Sequence, residues 1–178
     1  LFPTFRIGSV TTHREQLLDP RFTEPGPERW IELSEVPLSV DEAFAWAAEP
    51  GCGAVVLFVG TVRDHADGRT GVTKLTYEAY ESEAIRRMQA VADAVLNKWP
   101  RVRRLAILHR TGDVGVTEPA VIVAAAAAHR PEVFEAASEA IDLVKATVPL
   151  WKKEHHDGGV DWGTCAHALP GDQHFDHR

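Results

Sequence analysis

Gly53-Ala-Val-Val-Leu-Phe-Val-Gly60 is apolar at every position between its two glycines and rich in β-formers. Such a run has no polar face to turn to water, so it reads as a central β-strand covered on both sides. Upstream, Trp30-Ile-Glu-Leu33 is a short strand-like run. Ser39 then offers an N-cap to a short helix over Val40 to Ala48, closed by Glu49-Pro-Gly51. Downstream, Thr61 to Arg69 is polar and loop-like, and Lys74 to Tyr80 alternates, with Leu75, Tyr77 and Ala79 on one side.

Ser82 caps a long amphipathic helix reaching about Lys98, where Ile85, Met88, Val91, Ala92 and Val95 recur at helical spacing before Trp99-Pro100 ends it. Two strands follow, Arg104 to His109 and Ala120 to Ala128, separated by the turn-rich Thr111-Gly-Asp-Val-Gly115. Pro131 opens a second long helix whose stripe is Phe134, Ala137, Ile141, Val144 and Val148. Strands and helices succeed one another without regular βαβ repeats, which predicts an α+β domain with a mixed or mostly antiparallel sheet and two long amphipathic helices. Residues 1–29, with Pro3, Pro20, Pro25, Gly26 and Pro27, read as an extended leader, 30–163 as the domain and 164–178 as a tail.

With 178 residues, 44% hydrophobic and 25% charged, the chain is the size and composition of one soluble globular domain. It has no apolar run of the roughly 20 residues a membrane span needs, and the expected location is the cytoplasm. A formal charge of −7 argues against general nucleic-acid binding. Cys52 and Cys165 are the two cysteines and form no CxxC, so a disulfide framework and a cysteine zinc site are both unsupported.

Signatures of a P-loop, a zincin and an α/β-hydrolase are missing, and Gly51-Cys-Gly53 precedes its strand where a dinucleotide loop would follow one. What remains is a set of cations in telling places. Arg63 lies just past the apolar strand, in a loop opened by Gly60, where backbone can approach a ligand closely. His129-Arg130 stands between a strand end and a helix N-terminus, a natural position for an anion or simply a polar turn.

Lys145 borders the apolar stripe, so it either snorkels beside Asp142 or sits partly desolvated in a site suited to proton transfer. Lys152, seven residues on, shares its face if the helix carries through Pro149 with a kink. Glu154-His-His-Asp157 suggests metal binding, but adjacent histidines project differently and no second cluster has ligand spacing, so no metal site is assigned and the run reads as a solvated tail.

Gly60-Thr-Val-Arg63, Leu75-Thr-Tyr-Glu-Ala-Tyr80, His109-Arg-Thr-Gly112, Ala128-His-Arg130 and Ile141 to Glu154 together resemble the catalytic (large) subunit family of molybdopterin synthase, in order from about Ile31 to Trp162. The resemblance implies an α/β-hammerhead-like domain that forms a homodimer within a heterotetramer, with a small ubiquitin-like sulfur-carrier subunit at each end. It implies insertion of sulfur, delivered as a thiocarboxylate on the small subunit's C-terminal Gly-Gly, into cyclic pyranopterin monophosphate, a pterin, with no cofactor on the large subunit.

By position, the substrate-binding residues of such a family fall on Thr61, Val62, Arg63, His129, Arg130, Lys145, Lys152, Lys153 and Glu154. Lys145 and Lys152 are then the catalytic pair, with Lys152, Lys153 and Glu154 turned toward the site Lys145 faces and Trp151 anchored in the core. The competing reading is a non-catalytic module that grips a ubiquitin-like tail without turnover.

Overall fold

A computed structural model describes residues 26–66 and 69–163. Expectations for the leader before Gly26 and the tail after Gly163 lie outside the described residues. The elements in chain order are β1 (Arg29–Ser34), α1 (Val40–Ala47), β2 (Ala54–Thr61), β3 (His65–Ala66), β4 (Arg69–Thr70), β5 (Lys74–Ala79) and α2 (Glu81–Lys98), followed by β6 (Val102–Arg110), β7 (Gly112–Gly115), β8 (Pro119–Ala127), α3 (Arg130–Thr147), β9 (Leu150–His156) and β10 (Gly159–Trp162).

One sheet has the order β1-β6-β8-β2, with β1 parallel to β6 and the other pairs antiparallel. The second, order β10-β9-β5-β7, is antiparallel throughout, and β3 pairs β4 alone. This is the mixed α+β architecture expected from the pattern.

Period-2 alternation in β6 and β8 divides the first sheet between two cores. Leu105, Ile107, Val121, Val123, Ala125 and Ala127 face α2 and α3, which present Ile85, Met88, Val91 and Val95, and Val133, Ala137, Ile141 and Val144. Ala106, Leu108, Ile122, Ala124 and Ala126 face the other way, against Ala43 and Ala47 of α1. Ala124 to Ala127, the second half of β8, let helices approach both faces closely. Ser39 caps α1 as expected, its Oγ accepting from the Glu42 N–H at 3.1 Å, an arrangement worth about 1 kcal/mol. The cap at α2 differs: the helix starts at Glu81 and its N-cap is Tyr80, without a side-chain bond.

Three further local expectations are corrected. β2 is an edge strand, not a central one. Its side chains alternate between the same two cores, Ala54, Val56 and Phe58 toward one and Val55, Leu57 and Val59 toward the other, which reproduces the two-sided apolar pattern of a central strand. Gly112 to Gly115 forms strand β7 against β5, with Gly112 at φ 72° making the bend after β6. The helix carrying Lys145 stops at Thr147, and the chain re-emerges as β9. Among the described residues no helix is long and apolar enough to cross a membrane.

Candidate active site

A register shift between Gly60 and Thr61 marks the end of β2, whose last pair with β8 is Thr61 opposite Pro119. A Cβ on Gly60 would meet Val121 Cγ1 at 2.7 Å, so glycine is needed here for packing within the sheet. Beyond it, Val62 is buried and ties this segment to the 115–118 turn through Val62 N–H to Glu118 O and Thr117 N–H to Val62 O, at 3.2 and 2.8 Å. Val62 therefore anchors the loop, while Thr61 and Arg63 on either side of it line a cavity of about 240 Å³.

That cavity lies where the end of the first sheet meets the inner face of the second. Phe58, Gly60 and Thr61 of β2 and Ala120 and Val121 of β8 supply one wall, and Leu75 and Tyr77 of β5 with Lys152 and Glu154 of β9 supply the other. Lys145, in the last turn of α3, closes one side, its Nζ 6.0 Å from the centre of the Phe58 ring. Its side chain is exposed at the cavity rather than withdrawn from solvent.

Lys152 reaches the same cavity because β9 runs antiparallel to β5, with Tyr77 opposite Lys152 and Leu75 opposite Glu154. Strand alternation, not a continued helix, is what turns Lys152 and Glu154 inward together. The Glu154 carboxylate is buried and lies 3.0 Å from Lys152 Nζ.

Alternation also sends Lys153 the other way. It pairs with Glu78 and stands 4.6 Å over the Trp162 ring on the outer face of the second sheet. Trp151 shares that outer face at 37% exposure and does not anchor the core. The histidines once read as a solvated tail belong to β9: His155 Nε2 is 2.8 Å from Thr76 Oγ1, and His156 Nε2 is 3.0 Å from Asp161 Oδ2. Among the described residues no three His, Cys, Asp or Glu side chains converge as metal ligands do.

His129 and Arg130 are not brought to this cavity within one chain. His129 is the N-cap of α3, exposed beside Pro100, Arg101 and Arg103. It follows the Ala127 end of β8, whereas the cavity touches Ala120 at the start. At about 3.3 Å per residue, the length of β8 separates the two by roughly 25 Å.

The balance of charge in the cavity opposes that of the chain. Arg63, Lys145 and Lys152 face one inward carboxylate, Glu154, in a protein of net charge −7. Arg63 has no ion-pair partner among the described residues. Behind the wall, Tyr77 stacks edge-on against His109, ring centres 5.0 Å apart. Burial pushes the His109 imidazole down to about 4, so it is neutral and donates from Nδ1 to the Arg110 carbonyl at 2.8 Å.

Sequence reasoning missed Phe58, His65, Leu75 and Tyr77 as cavity residues. The inward positions of β5 were legible from its alternation, but their proximity to Lys145 depends on β9 returning along β5. His65 lies in a stretch read as plain loop.

The family description "MoaE protein" matches residues 33–147. The molybdopterin synthase catalytic subunit of Taeniopygia guttata is 42% identical over 139 residues, covering 78% of this chain and 89% of that protein. Among solved structures, molybdopterin synthase from Staphylococcus aureus aligns with TM-score 0.69 and 31% identity over 74% of this chain and 94% of its own. A complex of subunits 1 and 2 of the molybdopterin-converting factor from Helicobacter pylori shares the fold, with TM-score 0.64 and 20% identity over 80% of this chain and 96% of that one. The sequence blocks, the fold and these matches agree, and the chain belongs to the MoaE protein family, that of molybdopterin synthase catalytic subunits.

Proposed function

We propose that this chain is a sulfurtransferase, the catalytic subunit of a molybdopterin synthase, moving sulfur from the C-terminal thiocarboxylate of a small ubiquitin-like subunit onto cyclic pyranopterin monophosphate to form a dithiolene. The observation that carries this reading is the convergence of Arg63, Lys145 and Lys152 on one cavity of an acidic protein. Both reactants are anionic, one through a cyclic phosphate and the other through a thiocarboxylate, and charge-assisted hydrogen bonds from guanidinium and ammonium groups suit them. The neighbouring Helicobacter pylori structure, being a complex of two subunits, supports a small partner. Among the described residues no cysteine lines the cavity, in keeping with sulfur that arrives already bound to the partner's tail.

In this mechanism Lys145 donates to the oxyanion that develops on the tail's acyl carbon as the carbon–sulfur bond is exchanged. Lys152, held by Glu154, orients the tail. Arg63 and Thr61 bind the substrate phosphate.

At about 240 Å³ the cavity is smaller than the roughly 300–1,000 Å³ typical of sites for drug-sized ligands. A second copy of the chain would enlarge it. β2 is an unpaired edge among the described residues, and Ala54 at its start lies beside Ala127, close to His129 and Arg130. Antiparallel pairing of two β2 strands about a two-fold axis sets the Ala54 end of one against the Thr61 end of the other. It thereby carries His129 and Arg130 of one protomer toward Arg63 and Lys145 of its partner, which gives the homodimer a function.

The test is reaction of the purified chain with thiocarboxylated small subunit and the cyclic pyranopterin. Dithiolene product is expected, and partner binding without product would leave only the tail-gripping module.

A further inference from the structure

His65 lines the cavity, yet none of the roles above uses it. Its Nδ1 lies 2.6 Å from Asp64 Oδ1. This hydrogen bond is the main cause holding the Asp64 carboxyl below its ordinary range. An ionised carboxylate only accepts hydrogen bonds, so Nδ1 carries the hydrogen. The neutral ring therefore keeps its lone pair on Nε2, which makes no hydrogen bond among the described residues.

The backbone around the pair is held in place. The Val72 N–H donates to the Asp64 carbonyl at 2.9 Å, the Thr73 N–H to the His155 carbonyl at 2.9 Å, and Val62 and Val72 are buried.

The chemistry of sulfur transfer calls for such a group, and its role rests on that reading. The tail begins as a thiocarboxylate and ends as a carboxylate, so it gains one oxygen, which water supplies when a thioester of the tail is hydrolysed. When the thiocarboxylate sulfur adds to an electrophilic C=O carbon of the substrate, the π pair moves to that oxygen, which takes up a proton, and the tail becomes a thioester. Water adds to its carbonyl carbon, a proton leaves the water, the carbon–sulfur bond breaks, and its electron pair departs on the substrate thiolate. No electrons are exchanged with any other reactant.

The proton needs an acceptor. Arg63, Lys145 and Lys152 are donors, and Glu154 is buried and engaged by Lys152. We propose that His65 is the general base that takes this proton on Nε2, and that Asp64 is the positioning residue that holds the ring and its tautomer. The protonated ring then returns its proton to the leaving thiolate or to solvent.

The experiment uses the full chain with thiocarboxylated small subunit and cyclic pyranopterin, comparing wild type with His65→Gln, His65→Ala and Asp64→Asn. The imidazole is 57% exposed, so the variants should fold, and thermal melting checks it. His65→Gln should lower kcat about 100-fold or more with KM within about 3-fold, as for loss of a general base. It should also let a tail–pterin thioester accumulate, detectable by intact mass. Added imidazole should restore part of the rate to His65→Ala, and Asp64→Asn should lower kcat with KM little changed.

An unchanged kcat in His65→Gln, or a raised KM without thioester accumulation, overturns the role. A wild-type complex that yields no dithiolene defeats the sulfur-transfer reading itself, and the base with it.

Discussion

Lys152 Nζ stands 3.0 Å from Glu154 Oε1 on the inward face of β9, with the lysine side chain 24% and the glutamate 4% exposed. A carboxylate so deeply buried is costly unless a cation stays beside it. The lysine is thus tied to the fold as well as to the cavity.

Removing one partner should therefore cost more than removing both. Lys152→Met should destabilise the protein by about 3 kcal/mol, and Lys152→Met with Glu154→Gln should recover most of that loss while remaining inactive. Urea unfolding of both variants measures the difference. Equal destabilisation of single and double variants would show that the pair is not coupled.

Lys145 should behave in the opposite way. It is exposed in the last turn of α3, its Nζ 6.0 Å from the centre of the Phe58 ring. Lys145→Ala should shift Tm by no more than about 2 °C while lowering turnover by a factor of about 100 to 1,000, the size expected for losing one oxyanion donor. Binding of the small subunit should persist. A variant that melts early, or one that keeps its turnover, contradicts the assignment.

The contrast between these lysines shows which parts of the site were legible in the sequence. Helical periodicity marked Lys145 at the margin of an apolar stripe, and that local fact survived folding. Lys152 and Lys153 are neighbours in sequence, but whether both face the site depends on whether the segment is helix or strand. Pro149 and the extended Val148 end the helix, and β9 sends alternate residues to opposite faces. The strand pattern of Leu150 to His156 was hidden because its inward positions are a lysine and a glutamate, and the usual signal of strand burial is apolar.

Long-range pairing was the other blind spot. The edge position of β2 and the return of β9 along β5 join residues 58 to 81 apart in sequence, beyond the reach of any local pattern. Fold class, helices and five of the ten described strands were accessible because periodicity reports burial directly. The identity of the cavity walls was not, since it follows from which strands become neighbours.

His109 provides a pH signature of the wall behind the cavity. Its pKa falls from the ordinary 6.5 to about 4 through desolvation, against a smaller opposing effect of its bond to the Arg110 carbonyl. The unfolded chain therefore binds the proton more readily, and stability should fall as pH drops from about 6.5 through 4, reaching a loss on the order of 3 kcal/mol below that range. His109→Phe should flatten this part of the stability profile measured by urea unfolding. A profile that keeps its slope in the variant would assign the acid sensitivity to other groups.

The proposed homodimer makes a prediction about mixtures. Lys145→Ala removes a group contributed to a site by one protomer, and Arg130→Ala removes one contributed by the other, so each variant alone should be inactive. Mixed in equal amounts and allowed to exchange subunits, half the dimers should be hybrids. Each hybrid holds one site with both substitutions and one with neither. Activity should therefore return to roughly a quarter of the wild-type level, as two-fold symmetry dictates for sites shared between subunits. Complementation requires exchange, which size-exclusion chromatography with a tagged copy can establish independently. If hybrids form and no activity returns, Arg130 does not act across the interface, and the roughly 25 Å between it and the cavity of its own chain leaves it outside the site.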